Sequence, residues 1–178
     1  MTEPSDVELV QRFRSGDPEA FDAIVRRYQD TLYRLASVWL YNPQHAEDAV
    51  QDVFLRAWRG LRRFGFRAAP FTWLYRTARH VCNEYNRRRA NEALDGEPAD
   101  PAAGPERRVG DLDAARRVRR LVAVLPGRQR EVVMLRIFEE LSVADTAQAM
   151  GCRQGTVKAL LHKAVRRLRE NGMEGLGE

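Results

Sequence analysis

Apolar residues recur at spacings of three and four along most of the chain, the signature of helices that bury one face. Val7, Val10 and Phe13 set the first stripe. Ser5 stands before it with Glu8 three residues on, the pairing that satisfies free amides at a helix start, and Gly16 closes it. Asp17-Pro18 opens a second helix with proline at the first helical position, where its missing N–H costs nothing. Phe21, Ile24, Val25, Tyr28, Leu32, Leu35, Ala36 and Trp39 line that helix. Asn42-Pro43 breaks it and caps a third, with Ala46, Ala49, Val50, Val53, Phe54, Ala57, Trp58 and Leu61 inward. Gly65 and Pro70 bracket a short loop. A fourth helix is predicted from Phe71 to Arg89, with Leu74, Ala78, Val81 and Tyr85 inward. No strand-like alternation or internal repeat interrupts the pattern, so the fold class is all-α: two small helical domains joined by a flexible linker.

The linker is 91–113, NEALDGEPADPAAGPERRVGDLD, rich in Pro, Gly, Ala and acid. It has too little apolar surface to offset the entropy of ordering. It separates an N-terminal domain, 1–90, from a C-terminal domain, 114–178. Val118, Leu121, Val122 and Leu125 begin the second core. Then comes LPGRQREVVMLRIFEELSVADTAQAMGCRQGTVKALLHKAVRRLR, 125–169, which reads as a helix-turn-helix. Ser142 is its N-cap, with Asp145 at the box position. Ala147 is small enough for two helices to cross closely, and Gly151 tolerates the positive φ of the turn. Thr156 and Val157 open the second helix. Val157, Leu160 and Leu161 are available to pack, leaving Lys158, His162, Lys163, Arg166 and Arg167 outward. A three-helix domain with a merely solvated basic face is the alternative.

Charge sharpens this picture. The chain carries +5 overall. Residues 114–170 hold 13 Lys/Arg against 5 Asp/Glu, so the helix-turn-helix half is a polyanion-binding candidate. Arg76, Arg79, His80, Asn83 and Arg87 fall on one side of the fourth helix, with Phe71, Trp73 and Tyr75 at its start. Cations interleaved with aromatics suit single-stranded DNA, because rings stack on unpaired bases; a bundle helix with a solvated arginine face and buried rings is the competing reading. Glu47, Asp48 and Asp52, with Gln51 between them, form an acidic patch on the third helix. His45 nearby makes a metal site conceivable, but surface charge is the ordinary reading, and no metal or cofactor is expected.

Cys82 and Cys152 fit no metal or redox spacing and read as packing residues. His45, His80 and His162 are scattered over three helices, and no phosphate loop or nucleophile motif appears, so the chain is not expected to be an enzyme. The start MTEPSDVE is polar, and apolar runs reach only about five residues, against roughly 20 for a membrane helix. A cytoplasmic protein with no membrane insertion is expected.

The E-L-S-x-x-D-x-A-x-x-M-G run, GTVK and RRLRE resemble the promoter-reading C-terminal domain of bacterial sigma factors. A-E-D-A-V-Q-D-V-F and F-x-W-L-Y-R-x-A-R resemble their N-terminal domain. The two blocks cover 5–89 and 114–170 in the family's order. Nothing corresponds to the extra domains of housekeeping sigma factors, so the resemblance is to the extracytoplasmic-function type. It implies a promoter-specific initiation factor for RNA polymerase. Asp48, Gln51, Asp52 and Phe54 would dock on the clamp helices of the largest subunit. Trp73, Arg76, Arg79, His80, Asn83 and Arg87 would melt and read the minus-ten element. Arg153, Gln154, Thr156, Lys158, His162, Lys163 and Arg166 would read minus-thirty-five DNA. The implied partners are core polymerase (clamp helices and flap), promoter DNA and an anti-sigma factor. Ala159, Leu160 and Val165 stand where the family carries polar or basic residues, His80 where asparagine is common, and the loop 64–70 reads as about two residues short. A stand-alone helix-turn-helix regulator, which predicts a dimer on palindromic half-sites, and a protein-interaction module remain open on residues alone.

Overall fold

The computed structural model describes residues 3–40, 42–94 and 122–174. Among them every regular element is helical. The chain divides into two units, Met1–Pro105 and Glu106–Glu178.

Unit 1 holds α1 (Asp6–Arg14), α2 (Pro18–Leu40), α3 (Pro43–Gly60), a 3₁₀ turn (Leu61–Arg63) and α4 (Pro70–Leu94). The Ser5 side chain accepts from the Glu8 amide at 3.3 Å, and the Ser5 amide donates to the Glu8 carboxylate at 2.7 Å, which completes the capping box. The Ser5 amide, and after it the Ser5 hydroxyl donating to the same carboxylate at 2.8 Å, hold the Glu8 carboxyl below its ordinary range. Leu9, Val10 and Phe13 are buried, whereas Val7, assigned inward from its spacing, is 43 % exposed. An ion pair sets the rotation of the helix. Asp6 accepts from Arg27 at 2.6 Å and from the Tyr28 hydroxyl, both on α2. With Asp6 turned to α2, Leu9 and Val10 follow it inward at three and four residues, and Val7 is swung out.

α3 buries a line of small residues, Ala46, Ala49 and Ala57, beside Val53. Alanine at these positions lets α3 approach α2 and α4 closely. Asn42 caps it, Oδ1 accepting from the amides of Gln44 at 2.8 Å and His45 at 3.3 Å. Phe13, Phe21 and Trp58 meet with ring centroids 4.9–5.0 Å apart. Trp58, expected inward, is only edge-buried and remains 36 % exposed. In the loop before α4 the positive φ falls on Phe66 (53°), not on Gly65. Phe64, 5.1 Å away, and the Arg14 guanidinium over its ring hold it there.

α4 runs on to Leu94, past the predicted end at Arg89 and into the segment read as linker. The rest of that linker, and Val118 and Leu121 of the second core, lie outside the described residues. Cys82 is buried in α4, and burial pushes its thiol up to about 12.

Unit 2 holds α5 (Gly127–Val133), a π-helical turn (Met134–Phe138), α6 (Val143–Met150) and α7 (Gln154–Glu174). Val122, Leu125, Val132, Val133, Met134, Leu135, Ala147, Ala149, Met150, Val157 and Ala164 form its core. Arg130 donates to the carbonyls of Val122, Ala123 and Leu125, each at 3.2 Å, which satisfies acceptors ahead of α5. Arg128 bridges the buried Glu131 (3.3 Å) and the carbonyl of Met150 (3.2 Å), tying α5 to the end of α6.

Candidate nucleic-acid and docking faces

The turn between α6 and α7 is built as its residues require. Ser142 Oγ accepts from the Asp145 amide at 3.0 Å and donates to the Asp145 carboxylate. Gly151 sits at φ 62°, ψ 43°, the left-handed cap that glycine enters without a Cβ penalty. Ala147 is buried, and its carbonyl accepts from Cys152 at 2.9 Å. α7 begins at Gln154, two residues before the expected start. Val157 and Ala164 are buried, while Leu160, Leu161 and Val165 are half-buried. Arg153, Gln154, Thr156, Lys158, His162, Lys163 and Arg166 are all exposed. Lys158, His162 and Arg166 follow at every fourth residue along one stripe, and Thr156 and Lys163 lie seven apart on the next. Arg166 pairs with Glu170 at 3.6 Å, with both side chains exposed.

On α4 the aromatic cluster splits. Phe71 is buried against Tyr28 at 5.1 Å, and Tyr75 is fully buried against Trp39 at 5.6 Å. Trp73 is half-buried, edge-on to Phe64 at 6.1 Å. A Cβ added at Gly60 would lie 2.5 Å from its indole, so the end of α3 lacks a side chain where the ring lies. Trp73 therefore belongs to the packing of the loop and offers only part of its surface outward. Arg76, His80, Asn83 and Arg87 are exposed, and Arg79 is half-buried. His80 pairs with Glu84 at 2.8 Å, and Glu84 is gripped by Arg56 of α3 at 2.6 Å. Arg56 above all, then His80 and Arg88, holds the Glu84 carboxyl below its ordinary range.

On α3, Gln51 is exposed, and Asp48, Asp52 and Phe54 are half-buried. Asp48 accepts from Gln44 at 3.2 Å, and Asp52 accepts from the Tyr85 hydroxyl of α4 at 3.3 Å. Burial, with Asp52 next, raises the Tyr85 hydroxyl above its ordinary value. Phe54 turns edge-on to Phe21, 6.4 Å away, so most of it serves the core. The missed residue is Leu55, 61 % exposed, which continues the Gln51 face toward Trp58. The signal was present: Leu55 is apolar yet falls off the buried stripe. In unit 2, Ile137 (49 %) and Phe138 (36 %) are likewise exposed. Among the described residues no group of three or more potential metal ligands comes together, and no helix is long and apolar enough to cross a membrane.

Residues 24–92 match the family model of sigma-70 region 2, and residues 115–168 that of sigma-70 region 4. The chain is 36 % identical to the ECF RNA polymerase sigma factor SigM of Mycobacterium tuberculosis, over 93 % of this chain and 84 % of that one. It is 32 % identical to the RNA polymerase sigma-H factor of Pseudomonas aeruginosa, over 92 % of each. The sigma factor RpoE of Bartonella quintana, solved in a co-crystal with the anti-sigma factor NepR, superimposes with a TM-score of 0.69 at 27 % identity, over 84 % of this chain and 94 % of that one. Two matched regions in the family's order, and relatives aligned over nine-tenths of the chain, place it: the chain belongs to the extracytoplasmic-function sigma factors of RNA polymerase.

Proposed function

We propose that α3 docks this sigma factor on core RNA polymerase, α4 holds the opened minus-ten strand, and α7 reads the minus-thirty-five duplex. The observation that carries the docking assignment is the exposed ridge Gln51–Leu55–Trp58 beside Asp48 and Asp52. Leu55, 61 % exposed, lies one turn from the exposed Trp58 with Asp48, Gln51 and Asp52 at the margin, an apolar and aromatic centre with a polar rim as protein-contact surfaces have. Phe54 contributes mainly by holding α3 on α2. In unit 2 the exposed pair Ile137–Phe138 offers an apolar contact for the polymerase flap. Along α7 the residues near its start, with Lys158 foremost, approach base edges, and Lys163 and Arg166 meet phosphates.

An anti-sigma factor is the expected inhibitor, by analogy with the Bartonella RpoE complex, and it would cover the same exposed apolar residues. The setting is the cytoplasm, where promoter DNA and core polymerase meet. The factor itself supplies binding and strand capture, and the polymerase supplies the chemistry.

The test is in vitro transcription with core polymerase on a genomic fragment library, comparing the natural chain with Asp48→Arg/Asp52→Arg and with Leu55→Glu. Specific transcripts from the natural chain, and loss of core binding by both variants with normal circular dichroism, are expected. Unchanged core affinity in both variants removes the docking role from α3.

A further inference from the structure

α3 carries its charge in two blocks. Glu47, Asp48 and Asp52 lie in its first half, and Arg59, Arg62 and Arg63 follow at its end and in the 3₁₀ turn. Leu55, the most exposed large apolar residue described, stands between the blocks. Asp48 is seven residues before Leu55 and Arg62 seven after it, while Asp52 is three before and Arg59 four after. Steps of three, four and seven bring these side chains to one side of a helix. Arg59, Arg62 and Arg63 are exposed, and with Trp58 they line an open cavity of about 420 Å³. Among the described residues none of the three pairs with a carboxylate. The Arg62 guanidinium lies over the rings of Trp58 and Phe13, 5.1 and 5.5 Å from their centroids, so it is held in place before any partner arrives. Three cations around one concave site repel each other unless an anion enters.

The matching anions lie on the same helix. A second α3, turned end for end about a two-fold axis at Leu55, sets its Asp48 opposite Arg62 and its Asp52 opposite Arg59. Each pairing then occurs twice, as an isologous contact requires. The two Leu55 side chains meet at the axis with the Trp58 rings beside them, an apolar and aromatic centre inside a charged rim. Parallel packing would set like charge against like. Asp48 is bonded to Gln44 and Asp52 to Tyr85, and a carboxylate has lone pairs to accept further bonds.

We propose that α3 is the contact face of a homodimer, two copies of this chain packed antiparallel through Asp48, Asp52, Leu55, Trp58, Arg59 and Arg62. One helix face and a turn from each copy form a small interface, below about 1,200 Å² in total, the class of transient encounters. The dimer therefore forms where free chain is concentrated. It covers the face assigned above to core polymerase, so dimer and holoenzyme exclude each other and surplus factor is held back from polymerase. That consequence rests on the docking role of α3, whereas the dimer does not.

Sedimentation equilibrium of the full chain, from about 1 to 300 μM in about 50 mM salt, follows the balance of monomer and dimer. A reversible dimer is expected, weakened roughly tenfold in about 500 mM salt by screening. Asp48→Arg/Asp52→Arg turns the ridge basic, and Arg59→Glu/Arg62→Glu turns it acidic. Each variant alone should stay monomeric, and an equal mixture of the two should associate more tightly than the natural chain. Leu55→Glu, which alters neither ion pair, should also weaken the dimer by roughly tenfold or more, because it sets two carboxylates at the axis. A natural chain that stays monomeric throughout overturns the proposal. So does a dimer that Leu55→Glu and both charge reversals leave intact, or a mixture that fails to associate while both variants keep the natural circular dichroism. Added core polymerase should dissolve the dimer into complexes holding one chain each. A complex that keeps both chains would remove the docking role from α3 and leave the dimer standing, a separate result.

Discussion

The two units carry their functional chemistry in opposite ways. In unit 2 the candidate reading residues stand clear of the core: Lys158, His162, Lys163 and Arg166 are exposed, while Val157 and Ala164 hold α7 in place. In unit 1 the candidate contact residues also take part in the packing. Trp73 lies over Gly60, His80 is held through Glu84 to Arg56, and Asp52 is bonded to Tyr85. A duplex offers a preformed groove, so a rigid helix with exposed cations suffices to meet it. An unpaired strand has no fixed shape, so a protein that holds one must supply the geometry; under the proposed role of α4, the cross-helix bonds between α3 and α4 would supply it.

The most severe test of this contrast is Trp73→Ala. Loss of a half-buried indole against Gly60 and Phe64 should cost about 3 kcal/mol by chemical denaturation, together with reduced permanganate reactivity at the promoter. Promoter melting that fails at unchanged stability would separate the ring from the core and break the comparison. Next is Gly151→Val. A β-branched residue at φ 62° should cost unit 2 about 2 kcal/mol, because stability there resides in the turn and core. A neutral result would mean the turn relaxes to another geometry, visible as shifted α7 amide resonances.

Substitutions on the α7 face should then leave stability within about 0.5 kcal/mol. Lys158→Ala should change base preference at one or two pairs of the upstream element, whereas Arg166→Ala should weaken all sequences alike and lower the salt slope by about 1. Holoenzyme titrations at several salt concentrations read both, and a fall in melting temperature for either variant would undo the contrast. The smallest effect concerns pH. The Glu84 carboxyl is depressed by Arg56, so their pairing contributes fully above the ordinary value of 4.5 and is lost as pH falls through the depressed one. Partial exposure of both groups limits it to less than about 1 kcal/mol. An Arg56→Ala/Glu84→Gln double-mutant cycle should show coupling at neutral pH that vanishes in strong acid.

Much of this was legible in the residues. Ser5 with Glu8, Asn42-Pro43, Ser142 and Gly151 fix helix ends through bonds within three residues, so they act as read. The face of α7 was legible because one buried stripe leaves the other side to its cations. Val7 and Trp58 were misassigned because a spacing of three or four defines a stripe about a third of the helix wide. The partner helix chooses the centre of that stripe. For α1 the choice came from Asp6 meeting Arg27 and Tyr28, more than 20 residues away in sequence.

The amino-acid sequence by itself determined the helical class, the caps, the helix-turn-helix and the family, since each depends on residue types at short fixed spacings. Tertiary structure alone decided which of the candidate contact residues also serve the packing. Arg56 meets Glu84 across 28 positions, Asp52 meets Tyr85 across 33, and Gly60 leaves the space that Trp73 fills. No local pattern encodes those meetings, because they depend on how closely α3 and α4 approach. That distance is set by the alanines of α3, acting together with every other residue in the core.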